Sequence, residues 1–168
     1  MKTLILLVGH GSAPTDFPKD KLQRLKRLEA ERMAGGGGSL GAEEAELDDL
    51  VRRWPRTPRT DPYKFGLEAL GRRLSERLRG AAVICAYNEF CGPSIEEAVE
   101  SAAAQRFERV RLVTTMFTRG GVHSECEIPY AVQQLRKKFP TLQIGYAWPF
   151  DEELVADFMA RQLEACAA

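Results

Sequence analysis

Four short apolar runs, Thr3 to Val8, Ala81 to Ala86, Arg109 to Thr115 and Leu142 to Ala147, are separated by stretches with helical spacing. Runs that are largely apolar predict strands buried on both faces. Strands that alternate with helices predict right-handed crossovers and a parallel sheet. The helical signals are local and distinct. Asp61 followed by Pro62 starts one helix, and Phe65, Leu67, Leu70, Leu74 and Leu78 continue it to Gly80. Ser94 and Glu97 form a capping box ahead of Ile95, Ala98, Val99 and Ala102. Ile128, Val132, Leu135 and Phe139 define the next stripe, and a last helix runs from Asp151 to Cys166. The expected fold is α/β: a doubly wound, mostly parallel four-stranded sheet with helices on both faces. The commonest order of four such strands sets the first between the second and third, so the loops after strands 1 and 3 flank the crevice where ligands bind.

A chain of 168 residues fits one domain, 1–168. Within it, residues 13–60 form an excursion after strand 1, with helical stretches at about Lys19 to Met33 and Ala42 to Arg53. Gly35 to Gly38 divide them and read as a native hinge, and the excursion ends in RRWPRTPR, whose prolines exclude helix. Excursions of this length beside a site form lids or partner surfaces. Lys plus Arg and Asp plus Glu cancel at 24 each, which argues for neither nucleic acid nor membrane as a partner. The longest apolar run, Leu4 to Val8, is far short of a bilayer span, so the expectation is a soluble, cytoplasmic protein. Cys85, Cys91, Cys126 and Cys166 have neither CxxC spacing nor the density of a disulfide scaffold.

The chemistry-bearing residues cluster at predicted strand ends. In LLVGHGSAP, Gly9 and Gly11 allow a tight turn that leaves His10 facing the crevice. The other histidine of the chain, His123 in TTMFTRGGVHSECEIP, falls in the opposite loop of the same crevice. Ser124 and Glu127 have capping-box spacing, which accounts for Glu125 and Glu127 as helix-start acids, while Pro129 allows the helix to start instead at Ile128 or Pro129. The third ligand is sought at Glu89, just past strand 2 in YNEFCGPSIEEA. Two imidazoles and a carboxylate suit Co²⁺, Fe²⁺, Ni²⁺ or Zn²⁺ and leave coordination positions open.

These motifs together resemble the small sirohydrochlorin chelatases, the class II chelatases of cobalamin, siroheme and related tetrapyrrole synthesis. LLVGHGS looks like that family's opening strand and first active-site histidine, at His10. Tyr87 to Ile95 resembles its acid segment, at Glu89, and MFTRGGVHSECEIP its second active-site histidine, at His123. The likeness covers residues 1 to 12 and 80 to 168. Thr115, Val122 and Arg119 depart from the family's usual residues, and AWPFDEE after strand 4 has no histidine.

The resemblance implies a metal chelatase, a lyase that inserts Co²⁺, Fe²⁺ or Ni²⁺ into a sirohydrochlorin-type tetrapyrrole, with cobalt the first candidate. His10 and His123 would be catalytic, and the same pair with Glu89 would hold the metal, which is a substrate; no permanently bound cofactor is implied. A homodimer is implied, with the site near its interface. A carboxylate-rimmed substrate needs local cations: Arg119 beside His123, and Arg56 and Arg59, with Arg52 and Arg53, as a mobile clamp; Ser12 is a further substrate contact. Two rivals stand beside this. One is a non-catalytic metal or tetrapyrrole carrier on the same fold. The other is a histidine phosphatase, which would need an arginine before the histidine, where this chain has Gly9.

Overall fold

Thr3–Gly9 forms the first strand, β1, and the chain then leaves the sheet for α1 (Lys19–Ala34) and α2 (Ala42–Arg53) before returning through α3 (Pro62–Arg77). Next come β2 (Ala82–Tyr87), α4 (Ile95–Ala104), β3 (Arg109–Thr114), a π-helical turn (His123–Glu127), α5 (Ile128–Lys138), β4 (Gln143–Tyr146) and α6 (Glu152–Ala165). The structure, a computed structural model, describes residues 1–79 and 81–166. Gly80, the expected stop of the third helix, lies outside them; the helix itself ends at Arg77.

The sheet is parallel throughout, in the order β2-β1-β3-β4, with β1 between β2 and β3 as expected. Gly9 pairs with Tyr87 and Val8 with Thr114. The residues that follow each strand therefore emerge at one edge, and this register delivers the three site loops to the same place.

One face of the sheet carries the main core. Leu4, Leu6 and Val8 of β1 with Val110 and Leu112 of β3 pack on Ile95, Ala98, Val99 and Ala102 of α4 and on Ile128, Val132 and Leu135 of α5. Leu6 and Leu112 are fully buried, and burial of this kind contributes about 1.5–3 kcal/mol per side chain. The Ser94–Glu97 capping box that starts α4 is formed, with Glu97 N–H donating to Ser94 Oγ at 3.2 Å and Ser94 N–H to Glu97 Oε2 at 2.8 Å.

The opposite face is covered less fully than apolar strands predict. Leu7, Tyr87 and Cys91 pack there on Leu67 of α3. α6 nevertheless has no buried residue: Leu154, Phe158 and Leu163 are 68%, 59% and 74% exposed, and on the α4 and α5 side Ile84 of the edge strand β2, beside Leu6, is 37% exposed. An apolar sequence sets which side chains favour burial, whereas covering them takes a neighbour, and among the described residues the apolar face of α6 has none that buries it.

The excursion folds back as a helical hairpin. Arg24 Nε donates to Glu43 at 2.8 Å and Arg32 Nε to Glu44 at 3.0 Å across the two helices, so Gly35 to Gly38 serve as the loop joining packed helices. Phe17, Leu25 and Val51 form a second small core with Trp54 and with Phe90 of the loop after β2. Thr15 N–H donates to Thr60 carbonyl at 2.9 Å and closes the excursion at its base.

Candidate metal centre

His10 owes its place to the residue after it. Gly11 turns the chain at a φ of 97°, and a Cβ there would stand 1.9 Å from the Glu89 carbonyl oxygen. Only a residue without a side chain lets the loop after β1 lie against the loop after β2. Beyond the last paired residues the ladder continues, with Asn88 N–H donating to Gly9 carbonyl at 3.0 Å and Glu89 N–H to His10 carbonyl at 2.8 Å. His10 N–H donates to the Tyr63 hydroxyl of α3 at 2.8 Å. In the side chain, Nδ1–H donates to the Gly11 carbonyl at 2.9 Å. A carbonyl only accepts, so Nδ1 carries the proton and Nε2 keeps its lone pair.

His123 is oriented by a carboxylate. It opens the π-helical turn, and its Nδ1 lies 2.8 Å from both Glu127 Oε2 and Asn88 Nδ2; with the proton on Nδ1 shared with the carboxylate, Nε2 is left free. Asn88 Nδ2 donates to the same carboxylate oxygen at 2.6 Å. Burial resists ionisation of Glu127, but the hydrogen bonds from His123 and Asn88 outweigh it and hold the carboxyl below its ordinary range. Since the folded-state pKa is depressed, this contribution to stability is present above the ordinary Glu pKa and fades as pH falls through the depressed value.

The two rings meet edge to face, with centroids 4.7 Å apart at 85°. His10 Nε2 is 3.8 Å from Glu89 Oε2, and His123 Nε2 is 3.7 Å from Glu89 Oε1. The three ligand atoms lie within 4.8 Å of one another, and no other group of this kind occurs among the described residues. Two donors about 2.1 Å from a tetrahedral ion are about 3.4 Å apart, so a small contraction fits one ion between these three side chains. His10 is the most open of the three at 42% side-chain exposure, against 25% for His123 and 22% for Glu89.

Several expectations change. The capping box at Ser124 and Glu127 does not form: Ser124 Oγ donates to the Met116 carbonyl at 2.7 Å, while Glu127 turns to His123. A π-helical turn ahead of α5 is the reason, since it brings residues four apart into side-chain contact and removes the N-cap geometry. Arg56 was expected to grip substrate, yet its guanidinium is 5% exposed and paired with the fully buried Asp61. Arg52 is similarly committed, to Asp48 and to the carbonyls of Cys91 and Asn88, so these two arginines of the basic run are held in place while Arg53 stays exposed. Ser12 Oγ donates to Asp61 Oδ1 at 3.1 Å. Arg59 is exposed, and among the described residues it makes no ion pair. Arg119 is 59% exposed and reaches Glu152 at the start of α6, 3.1 Å away. Cys126 is exposed and Cys91 fully buried; neither joins the cluster.

Glu127 and Asn88 are the site residues that sequence spacing missed. The four-residue step from His123 was the available signal for Glu127, because such pairs face each other on a helix. Asn88 had none.

The CbiX family model matches residues 59–165 of the chain. Solved structures similar to it include a CbiX protein from Marinobacter aquaeolei VT8 ascribed to cobalamin (vitamin B12) biosynthesis, at 18% identity and a TM-score of 0.54, covering 97% of this chain and 98% of that one. They also include SirB from Bacillus subtilis with Fe³⁺, at 18% identity and a TM-score of 0.48, covering 100% of this chain and 49% of that one. The sirohydrochlorin chelatase SirB from Bacillus subtilis subspecies spizizenii in complex with cobalt stands at 19% identity and a TM-score of 0.47, covering 98% and 51%. No curated protein matches.

Proposed function

The chain belongs to the CbiX family, and from that premise we propose that it is a chelatase that inserts a divalent metal ion into a sirohydrochlorin-type tetrapyrrole. The observation that carries this reading is the convergence of the lone pairs at His10 Nε2 and His123 Nε2 on the two oxygens of Glu89. Insertion needs an ion held on one face of the ring with positions open to pyrrole nitrogens, and a base for each of two N–H protons. Two imidazoles and one carboxylate meet the first need and stop short of a closed shell. They also meet the second: as ring nitrogens replace a histidine on the ion, its Nε2 becomes free to accept a pyrrole proton. The two rings are held differently in this scheme: Glu127 lies against Nδ1 of His123 and orients it, whereas His10 has a neutral carbonyl there.

Co²⁺, Fe²⁺ and Ni²⁺ all suit imidazole and carboxylate donors, with Co²⁺ the first candidate. Arg119 and Arg59 are the proposed contacts for the substrate's carboxylates, Ser12 is a further proposed substrate contact, and the excursion belongs to the same domain as the sheet. A homodimer is proposed as well, supported by the unburied apolar face of α6 beside the groove of Leu7, Leu70, Leu74 and Val113. Light scattering should give the mass of two chains for the native protein and one for the Leu154→Glu, Phe158→Glu double variant. A native monomer, or a variant that stays dimeric, rejects that assembly.

The deciding experiment mixes catalytic amounts of protein with sirohydrochlorin and excess Co²⁺, Fe²⁺ or Ni²⁺ and follows the Soret band. Many turnovers per chain are expected, above the rate without protein. Stoichiometric binding of ring or metal without metallation would make the protein a carrier instead.

A further inference from the structure

The Arg56 guanidinium stands where four segments meet. Nη1 pairs with Asp61 and donates to the Ser12 carbonyl at 2.8 Å, while Nη2 donates to the Val51 carbonyl at 2.8 Å and to that of Phe90. Ser12 lies two residues after His10, and Phe90 follows Glu89 directly. Asp61 in turn accepts from Ser12 Oγ at 3.1 Å and from Lys64 N–H at 3.0 Å, which caps the helix whose Tyr63 hydroxyl receives the His10 amide. Phe90 sits at a φ of 55°, a left-handed conformation that an aromatic residue rarely adopts and that surrounding bonds must hold. Arg56 Nε has no partner and is the one buried side-chain nitrogen or oxygen so placed among the described residues. Its desolvation is a cost accepted in aiming the two terminal nitrogens at the loops.

We infer that Arg56 is a positioning residue for the metal centre: with Asp61 as its counter-charge, it clasps the loops after β1 and β2 and sets the separation of His10 from Glu89. The inference rests on the metal-site reading above and ties the excursion to the chemistry. A guanidinium is required, since its planar fork meets several acceptors at once and a lysine ammonium on a flexible stem does not. Breaking a buried pair on one side destabilises a fold, so the informative variant is Arg56→Met with Asp61→Asn, which removes both charges and keeps the helix cap.

The test is Co²⁺ titration of the full chain, read from the visible absorption of the bound ion. The native protein should bind Co²⁺ with the intense bands of a low-coordinate site. The double variant, shown to be folded by circular dichroism, should bind about 10- to 100-fold more weakly with an altered spectrum, as should Arg56→Lys measured below its melting temperature. Native affinity and spectrum in either folded variant, even with a lowered Tm, would make the clasp purely structural and overturn the inference. Failure of the native protein to bind Co²⁺ would instead overturn the metal-site reading, and this inference with it.

Discussion

His123→Ala is expected to abolish the proposed metal insertion while the chain stays folded, and His10→Ala to do the same. Under the proposed mechanism each variant loses both an ion ligand and a proton acceptor. A positioned base alone is worth about 10² to 10⁴ in rate, and a lost ligand lowers occupancy on top of that. The fold should tolerate the change because neither ring is part of the apolar core; the side chains are 42% and 25% exposed. His123→Ala is expected to be the more severe for turnover, since it also strips Glu127 of the imidazole it supports. Two measurements check this together. The Soret assay should show no turnover above background, and saturating Co²⁺, which adds about 2.7 kcal/mol of stability at a hundredfold excess over Kd, should raise the Tm of the native protein alone. Near-native turnover in either variant would remove the histidines from the mechanism.

Gly11→Ala should cost both stability and metal binding. The native φ of 97° is strained for alanine by about 1–3 kcal/mol, and the new Cβ would lie 1.9 Å from the Glu89 carbonyl oxygen, forcing backbone apart at a comparable cost. For a domain of this size the sum lowers Tm by roughly 5–15 °C. The displaced atom belongs to the residue that bridges the two histidines, so Co²⁺ affinity should collapse even at temperatures where the variant is folded. Gly66→Ala is the matched control. Gly66 lies in α3, where an added Cβ would meet nothing within 4 Å and φ is not positive, so alanine there should be neutral or mildly stabilising. A Gly11→Ala protein with native melting and native Co²⁺ affinity would show that the loops after β1 and β2 need no such close approach.

Much of the fold was legible because its signals are local. The apolar runs, the Asp61-Pro62 start and the Ser94–Glu97 box each depend on residues within a turn or a strand of one another, and each forms within a residue or two of its expected place. His10, Glu89 and His123 were legible for a related reason. A parallel sheet places the ends of neighbouring strands at one edge, so three residues at strand ends become neighbours in space once the strand order is set.

Partners far apart in sequence were not legible. RRWPRTPR looks like a solvated basic surface, yet Arg56 is buried against carbonyls 34 and 44 residues away, at Phe90 and Ser12. Glu127 has the spacing of a helix cap, and a π-helical turn decides that it faces His123. Local patterning by itself determined which segments become strands and helices and which edge of the sheet carries the histidines. Only the tertiary structure decided which charges are buried, which tautomers the imidazoles adopt and which apolar face of α6 is left without cover. Those outcomes depend on hydrogen-bond and packing partners brought together by the chain's long-range path, and spacing along the chain does not encode them.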